Sequence, residues 1–519
     1  MLALIGGALL LAAAMRLLNP LPPLRLRIET RALTGTENTR LGCAAAPLFV
    51  CHPGLTGVYL LDDALEAFAA RLHLVRRAER SLDLQYYIWR CDVSGLLLLD
   101  ALRAAADRGV RVRMLLDDNG VAGLDEILAA FDRHANLEVR LFNPFVIRRP
   151  KAIGYLLDFP RLNRRMHNKC FIADNQAMIV GGRNVGDEYF DAAHDASFVD
   201  LDAFGIGGTV SDVSCDFDRY WASASAYPAH LILPSPPPGR LAALHREVAA
   251  VQQSPLARRY AEAERSSIVT ELVAGRLPLE WAVVTVMSDD PAKAFGKLDD
   301  TALLGPRLAA AIGQPKSHLG IVSAYFVLTA AGTRAFAAMA AACADLQVMT
   351  NSVWASSHVM IHTGYAQCRR PLLVAGIRLW EMKPRDPHHK ARLKFGKQRS
   401  GVKSGTILRS SGSALHAKAF TVDRQRLFVG SFNFDPRSLR LNTEMGLIID
   451  SPVLAGRLQD MFCNTAADIA YEVRLAGRRL EWIEHTEAGE MVHRHEPGTG
   501  PLQRLVLAML SHVPVKWLL

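Results

Sequence analysis

Two copies of one short pattern, H-x-K-x-x-x-x-D, constrain the fold of this chain more than any other feature. The first copy is HNKCFIAD at 167–174 and the second is HAKAFTVD at 416–423. Six residues after each copy comes a second pattern, G-[GS]-x-N, which is GGRN at 181–184 and GSFN at 430–433. One such pair on a strand is common, but two copies with matched spacing indicate that the chain is built from two similar halves.

The order of strand-like and helix-like segments around the motifs repeats as well. In the first half SLDLQYYIW, VRVRMLLDD and LEVRLFN are typical of strands separated by helices, and Gly109 is placed to end the first helix. In the second half HLGIVSAYFV, LQVMTN and IRLWEMKP repeat that order. Strands that alternate with helices predict a mostly parallel sheet.

The chain has 519 residues, which is too long for one ordinary core. The predicted fold class is therefore α/β. We expect two halves, each a mixed, mostly parallel sheet flanked by helices, related by a pseudo-twofold axis. The expected segments are an apolar N-terminal tail or anchor at 1–35, a first half at 36–228, a helical connector at 229–300, a second half at 301–475, and a C-terminal extension with an amphipathic helix at 476–519.

The spacing inside each motif predicts which side chains face a common site. Residues i and i+2 of a strand point the same way, so His167 and Lys169 share a face, and so do His416 and Lys418. An aspartate seven residues after the histidine falls on the opposite face and within a turn signal, DNQ or DRQ. We therefore expect the two aspartates to hold hairpins rather than to touch a substrate.

The glycine-asparagine patterns complete a candidate anion site. Glycine lets the backbone approach a ligand closely, and Asn184 and Asn433 can each donate a side-chain amide. Two facing halves would offer two lysines, two amides and two imidazoles around one point. Imidazoles can serve as a nucleophile and as an acid, so the set fits attack on a phosphodiester.

The ends of the chain and one basic stretch point towards an anionic or membrane partner. An apolar run from Leu2 to Met15 is short for a bilayer span and is followed by arginines, which predicts an uncleaved anchor with the body on the cytoplasmic side. The net charge is +9, and nine basic residues lie between Lys383 and Arg409 against one acid, Asp386. This stretch suits nucleic acid or an anionic membrane, or it is a solvated loop.

The motifs resemble the signature of the phospholipase D superfamily, which has H-x-K-x-x-x-x-D with a following G-[GS]-x-N twice per chain. More narrowly, the chain is similar to bacterial cardiolipin synthases of the C subtype. The segments that carry this likeness include SLDLQYYIW, RLNRRMHNK, GGRNVGDEYFD, LHAKAFTVD and GSFNFDPRSLRLNTEMGLIIDSP. The likeness extends from about Thr36 to the C-terminus, and it implies a phospholipase D-like sandwich fold for each half.

The resemblance implies a set of site residues. The catalytic residues that it implies are His167, Lys169, Asp174, His416, Lys418 and Asp423. The phosphate-binding or supporting residues that it implies are Asn184, Ser431, Asn433, Asp200 and Glu444. Asp200 and Glu444 would each stand behind a histidine, with Asp202 as the alternative to Asp200.

The chain departs from the family pattern at two positions. Gly182 stands where the first half usually has a serine, which removes a hydroxyl donor. Ser357 stands where the subtype usually has an aspartate. If the residue at that position contacts the lipid head group, the choice of substrate would differ.

The resemblance also implies a reaction. His167 would attack a phospholipid phosphorus to give a phosphatidyl-histidine, and His416 would protonate the leaving alcohol and then activate the acceptor, although the two roles could be exchanged. With phosphatidylglycerol as acceptor the product is cardiolipin, whereas with water the enzyme is a hydrolytic phospholipase D. A nuclease of the same superfamily is a further alternative.

The remaining expectations concern partners and location. We expect phospholipid substrates, namely phosphatidylglycerol with phosphatidylethanolamine as a second candidate, and no nucleic acid. We expect no cofactor and no metal, since the lysines supply positive charge. The expected location is the bacterial inner membrane, and the sequence does not identify a protein partner.

Overall fold

The computed structural model describes residues 14–15, 17–190, 198–265, 267–356, 359–384 and 414–511. Most of the N-terminal apolar run, Ser357 and most of the basic stretch lie outside these residues. The helices are α1 (Arg40–Cys51), α2 (Ala64–Arg77), α3 (Val93–Asp107), α4 (Asp125–Phe131), α5 (Lys151–Leu162), α6 (Thr209–Trp221), α7 (Ala229–Ile232), α8 (Arg240–Val251), α9 (Pro255–Arg265), α10 (Ile268–Val273), α11 (Leu304–Ile312), α12 (Ala330–Ala342), α13 (Val359–Val374), α14 (Pro436–Arg440), α15 (Pro452–Asn464), α16 (Ala466–Ile469) and α17 (Pro501–Ser511).

The strands of the described residues follow the two motifs closely. They are β1 (Thr56–Leu61), β2 (Ser81–Tyr86), β3 (Arg111–Asp117), β4 (Leu137–Phe142), β5 (Cys170–Ala173), β6 (Ala177–Gly181), β7 (Phe198–Val199), β8 (Asp202–Gly207), β9 (Ala226–Pro228), β10 (Glu280–Ser288), β11 (Leu319–Ser323), β12 (Leu346–Asn351), β13 (Arg378–Met382), β14 (Ala414–Leu415), β15 (Lys418–Val422), β16 (Arg426–Gly430), β17 (Met445–Asp450), β18 (Ala470–Ala476), β19 (Arg479–Thr486) and β20 (Gly489–His493).

All strands except β7 and β14 form one continuous sheet. Following the pairings, its order is β9-β4-β3-β2-β5-β6-β8-β1-β10-β17-β16-β15-β11-β12-β13-β18-β19-β20. The order on one side of the β1–β10 pair mirrors the order on the other side. The expected α/β fold with two repeated halves is therefore confirmed.

The expectation of a mostly parallel sheet is wrong. In the described sheet the parallel pairings are β2–β3, β3–β4, β11–β12 and β12–β13, and the others are antiparallel. The helix-linked strands are parallel, as their connections require. Each motif strand, by contrast, turns back through a tight hairpin into β6 or β16, which forces antiparallel pairing and leaves a mixed sheet.

The first helix of the repeat shows how local sequence sets the elements. Asp92 caps α3 by accepting a hydrogen bond from the backbone N–H of Gly95 (3.0 Å). Gly109 adopts φ +94° just after the helix, as predicted, where a residue with Cβ would be strained. β2 is buried along its whole length, which is typical of a strand covered on both faces.

The segment 229–300 is more than a helical connector. It is helical as far as Val273, but Glu280–Ser288 forms β10, which pairs with β1 and with β17. β10 lies beside β17 as β1 lies beside β8, so β10 is the counterpart of β1 in the second repeat. The second repeat therefore starts before residue 301. The extension after 476 likewise adds β19 and β20 to the sheet before α17.

The first motif strand contributes side chains to a core that the two halves share. Cys170 and Ile172 of β5 pack in one buried cluster with Leu427 and Val429 of β16. Separate clusters lie under the helices of each half. The two halves are thus joined by apolar packing as well as by the β1–β10 pair.

Two peripheral elements leave apolar side chains in solvent. Leu17 and Leu18 are 80% and 79% exposed, and Leu502 on α17 is 73% exposed. No helix of the described residues has the length and apolar character needed to cross a bilayer.

The two motif aspartates lie at the far ends of the hairpins. Asp174 accepts hydrogen bonds from the backbone N–H groups of Glu79, Arg80 and Ser81 at 2.7–3.2 Å. Asp423 accepts them from residues 316 to 318 in the same way. These carboxylates therefore anchor the start of β2 and of β11, as the strand periodicity predicts.

We predict that Asp174→Asn lowers the free energy of unfolding by about 1–3 kcal/mol, because an amide places N–H groups against backbone N–H groups that now donate to the carboxylate. Turnover by the folded enzyme should change little. Urea denaturation and initial rates at low temperature measure the two effects. The matched Asp423→Asn should cost less stability, since Asp423 is half-buried whereas Asp174 is fully buried. A 100-fold loss of turnover at unchanged stability would contradict this assignment.

Candidate active site

Each motif histidine is held by a carboxylate of the other half. Nδ1 of His167 lies 2.7 Å from the Glu444 carboxylate, and Nδ1 of His416 lies 2.5 Å from the Asp200 carboxylate. In this arrangement Nδ1–H donates to the carboxylate, which fixes the tautomer and places the lone pair of the neutral imidazole on Nε2. The resemblance implied both carboxylates, with Asp202 as the alternative to Asp200, but it did not imply that they cross between the halves.

The backbone repeats the same crossed contact. The N–H of His167 donates to the carbonyl of Thr443 (2.9 Å), the residue before Glu444. The N–H of His416 donates to the carbonyl of Val199 (2.7 Å), the residue before Asp200. β14 pairs with β7 at this point. Consecutive residues of one half thus hold both the backbone and the imidazole of the other half's histidine.

The Glu444 carboxylate is fully buried and held by two serines as well as by the histidine. Ser431 Oγ donates at 2.5 Å and Ser438 Oγ donates at 2.7 Å. Its backbone N–H donates to Asp289 (3.0 Å), which also pairs with buried Lys293 at 2.8 Å. Ser438, Asp289 and Lys293 were missed by sequence reasoning, because no pattern sets them apart.

Asp200 is supported differently. Its carboxylate accepts from the N–H of Leu201 (2.9 Å), and its carbonyl accepts from the guanidinium of Arg183 (2.6 Å). Asp202, the alternative partner for His416, instead accepts from Arg71 at 2.7 Å and from Arg183 at 3.3 Å within a buried ion cluster. The structure therefore favours Asp200 over Asp202 as the partner of His416.

The lack of a side chain at Gly182 makes room for the Asp200 carboxylate. Gly182 and Ser431 hold equivalent places, since their N–H groups donate to the carbonyls of Leu201 (3.2 Å) and Met445 (2.8 Å). A Cβ at Gly182 would lie 2.2 Å from the Asp200 carboxylate. The shorter aspartate therefore occupies space that the serine side chain fills in the other half, where a glutamate reaches the histidine instead.

The two motif lysines are buried beside the histidines. Lys169 Nζ donates to the carbonyl of His167 (2.6 Å), and Lys418 Nζ donates to the carbonyl of His416. Lys169 is 2% exposed and Lys418 is 1% exposed. Each ammonium group has further N–H bonds that these contacts do not use, and these can donate to an anion.

The asparagines of the second pattern are also buried at the site. The side-chain oxygen of Asn184 accepts a hydrogen bond from the N–H of Ile88 (3.1 Å), just after β2. This contact turns the amide nitrogen of Asn184 away from Ile88. The side-chain oxygen of Asn433 has no hydrogen-bond partner among the described residues. Buried amides with spare capacity suit a polar ligand.

Burial and mutual repulsion dominate the electrostatics of the cleft. Burial, reinforced by Lys169 and Lys418, lowers the pKa of His167 to about 4 and that of His416 to about 3. Burial also lowers the pKa of Lys418 to about 8. Burial would raise the pKa of Glu444, but His167 and Lys169 outweigh it and hold that pKa below its usual value. At neutral pH both imidazoles are therefore neutral and the carboxylate is charged.

Two tyrosines contact the histidines. The Tyr87 ring lies 5.1 Å from His167, and the Tyr189 ring lies 5.2 Å from His416. Tyr87 is half-buried and also lies under Lys169 Nζ at 5.5 Å. Tyr87 therefore lines the mouth of the cleft, whereas its neighbour Tyr86 is buried against Arg71.

The ends of two parallel strands position the motifs. Asp117, at the end of β3, accepts from Arg165 at 2.7 Å and from the N–H of Met166 at 2.8 Å, just before His167. Asn351, at the end of β12, bonds both the N–H and the carbonyl of Leu415 at 2.8 Å, just before His416. Both residues fix the histidines from behind, through the backbone.

We predict that Gly182→Ser lowers kcat/KM on the order of 10- to 100-fold, because the new side chain displaces the Asp200 carboxylate from His416. Asp200→Glu alone should also lower it, for lack of space. The double variant should recover much of the loss, because it reproduces the Ser431–Glu444 arrangement of the other half. Steady-state kinetics measure kcat/KM of the three variants, and thermal unfolding controls for loss of stability. If the two single losses simply multiply in the double variant, the proposed link between Gly182 and Asp200 is contradicted.

Comparison with protein families finds a match to the family described as cardiolipin synthase, PLD-like domain, at residues 72–221 and 308–465. Each matched segment contains one H-x-K-x-x-x-x-D copy and its glycine-asparagine pattern. Cardiolipin synthase C of Escherichia coli is 43% identical over 482 residues, which are 92% of this chain and 100% of that protein. An uncharacterized protein of Helicobacter pylori is 30% identical over 90% of each chain.

Among solved structures, phosphatidylserine synthase of Haemophilus influenzae resembles this chain with a TM-score of 0.52. The likeness covers 91% of this chain and 96% of that one, at 13% sequence identity, and it shows a shared fold. The two family matches together span more than half of the sequence, and the relative from Escherichia coli is covered from end to end. The chain therefore belongs to the cardiolipin synthase family of proteins with phospholipase D-like domains.

Proposed function

We propose that this chain is a phosphatidyltransferase that makes cardiolipin by transphosphatidylation through a covalent phosphatidyl-histidine. The observation that carries the proposal is the pair of crossed histidine–carboxylate contacts, His167 with Glu444 and His416 with Asp200, beside two buried lysines. Such a cleft presents two imidazoles and two lysines to one phosphodiester. The name of the relative from Escherichia coli supports cardiolipin as the product.

In the first step Nε2 of His167 attacks the phosphorus of the donor lipid. A P–N bond forms, the P–O bond to the leaving alcohol breaks, and His416 gives its proton to that alcohol. The low pKa of His167 supports its role as nucleophile, since the imidazole is neutral at neutral pH. The donor phosphodiester brings a negative charge between the lysines, which favours uptake of a proton by His416 when the donor binds.

In the second step the acceptor alcohol replaces the first alcohol. His416 takes the proton of its hydroxyl group, the acceptor oxygen attacks phosphorus, and the P–N bond breaks to return neutral His167. Lys169, Lys418, Asn184 and Asn433 stabilise the negative charge that builds on the non-bridging oxygens in both steps. Since two ammonium groups supply this charge, we expect the reaction to proceed without a metal or a cofactor.

The finer assignments belong to the same proposal. The donor and acceptor are phosphatidylglycerol, with phosphatidylethanolamine as the second candidate, and the enzyme acts at the bacterial inner membrane without nucleic acid. Water as acceptor would make the chain a hydrolytic phospholipase D. The extended likeness to a cardiolipin synthase favours transfer over hydrolysis and over nuclease activity.

We predict that His167→Ala abolishes the covalent intermediate and lowers cardiolipin output on the order of 100-fold or more, because it removes the nucleophile. His416→Ala should lower output on the order of 100-fold while it still forms some intermediate from a donor with a good leaving group. The measurement is radiolabelled phosphatidyl retained on acid-quenched enzyme, with cardiolipin followed in parallel.

Asp423→Asn serves as the control for these variants, since Asp423 lies at the far end of the hairpin. Label retained by His167→Ala but absent from His416→Ala would exchange the two roles. Full cardiolipin output from both histidine variants would exclude the mechanism. A wild-type product of free phosphatidate, with no lipid transfer, would identify hydrolysis.

We predict that kcat/KM falls as pH rises through about 8, because Lys418 is charged only below its pKa and burial lowers that pKa to about 8. An exposed lysine would lose its charge only near ~10.4. Lys418→Arg should remove the alkaline fall, since arginine stays charged. If the fall remains in Lys418→Arg and disappears in Lys169→Arg, Lys169 is the titrating group, and a fall near pH 10 would contradict both assignments.

A further inference from the structure

Helix α5 presents an apolar face to solvent just before the first motif. Leu156 is 83% exposed and Phe159 is 44% exposed, and Ala152 and Pro160 are exposed beside them. The helix is interrupted at Asp158 (φ −143°, ψ 44°), so Phe159 and Pro160 lie on a second short turn. Within this helix, Gly154 and Leu162 are the residues that are fully buried.

The opposite side of α5 leads directly to the cleft. The Tyr155 ring packs on Phe145 at 5.1 Å and lies close enough to Tyr87 for the two phenol groups to interact electrostatically. Tyr87 in turn contacts His167. Just after the helix, Asn163 accepts a hydrogen bond at 2.8 Å from Arg437 of the second half. Helix α5 therefore forms part of the wall at the mouth of the cleft.

The N-terminal segment meets the body on the same side. Arg27 donates to the carbonyl of Ser223 at 2.6 Å and interacts electrostatically with Tyr227. Tyr227 also interacts with Arg161, near the end of α5. Leu17 and Leu18, which are exposed, precede this contact along the chain. The N-terminal segment therefore reaches the body close to the C-terminal end of α5.

The charges around α5 suit an anionic surface. The segment 148–164 contains five basic residues, of which Arg148, Lys151 and Arg161 are paired with the carboxylates of Asp118, Asp125 and Asp158. The positive charge that remains for a surface is that of Arg149 and Arg164. Arg149 is exposed. Arg164 donates to the carbonyl oxygens of Lys293 (3.1 Å) and Arg440 (3.0 Å), and these contacts leave its positive charge uncompensated. Basic groups that flank an apolar helix face are typical of helices that lie in a membrane interface.

We propose that the exposed face of α5 docks on an anionic phospholipid bilayer and holds the mouth of the cleft at the level of the lipid head groups. The proposal rests on the proposed function, because a lipid-transferring cleft must receive a substrate whose acyl chains leave the bilayer for water only at great cost. Leu156 and Phe159 enter the acyl boundary, Arg149 and Arg164 face the head groups, and a lipid passes by Tyr87 to His167.

The test compares two forms of the same substrate on the full-length chain. The variant Leu156→Asp/Phe159→Asp places charge on the exposed face, where it should leave the fold intact. The rate of lipid transfer is measured on vesicles of phosphatidylglycerol and phosphatidylcholine, and on short-chain phosphatidylglycerol below its critical micelle concentration. We expect a loss on the order of 10-fold or more on vesicles and less than about twofold on monomeric lipid.

The matched control is Val50→Asp. Val50 is 83% exposed, like Leu156, and lies at the end of α1, a few residues before β1. The start of β1 pairs with the end of β8, whereas Asp200 lies just before the start of β8. This variant should keep both rates. Sedimentation with the same vesicles at low and high salt should show weaker binding for the α5 variant, with a salt-dependent remainder.

Each other outcome overturns the docking proposal. Equal losses on vesicles and on monomers would assign α5 to the cleft itself, and unchanged rates on both would leave the face without a membrane role. A change in oligomeric state with an unchanged vesicle rate would identify a second copy of the chain as the occupant. Absence of lipid transfer in the wild-type protein would instead count against the proposed function.

Discussion

The crossed contact between a histidine of one half and a carboxylate of the other is the interaction on which the rest of the site depends. Glu444 fixes the tautomer of His167, and Asp200 does the same for His416. Because each carboxylate is also joined to the partner half through the preceding backbone carbonyl, neither histidine is oriented within its own half. The shared core and the β1–β10 pair hold the halves close enough for both contacts to form.

The site buries two lysines and two histidines, four groups that can each carry positive charge, and this burial costs free energy. The same burial sets the protonation states on which the chemistry depends. Burial, reinforced by Lys169 and Lys418, lowers the pKa values of both imidazoles and keeps them neutral, which suits a nucleophile. An incoming phosphodiester compensates the two ammonium groups. The two halves reach the same geometry by different means. Ser431 supports a glutamate in one half, whereas in the other Gly182 makes room for a shorter aspartate.

A site that transfers lipid between two alcohols also has to meet a membrane. The mouth of the cleft carries Tyr87, and helix α5 beside it exposes Leu156 and Phe159 among basic residues. The N-terminal segment reaches the body nearby through Arg27. Under the proposed mechanism the exposed apolar face of α5 and the nucleophile lie on the same side of the first half, which is the arrangement that an interfacial enzyme requires.

The sequence alone determined the repeat, the α/β class and the residue types of the site, because strand periodicity places His167 beside Lys169 and turns Asp174 away. Local turn chemistry also predicted where α3 ends, at Gly109. The sequence could not determine which carboxylate serves which histidine, that β10 belongs to the second repeat, or that antiparallel pairs predominate. These features depend on contacts between segments far apart in the chain, such as Glu444 with His167, and such contacts leave no periodic pattern. Only tertiary packing, which joins the two halves across one sheet and one core, decided them.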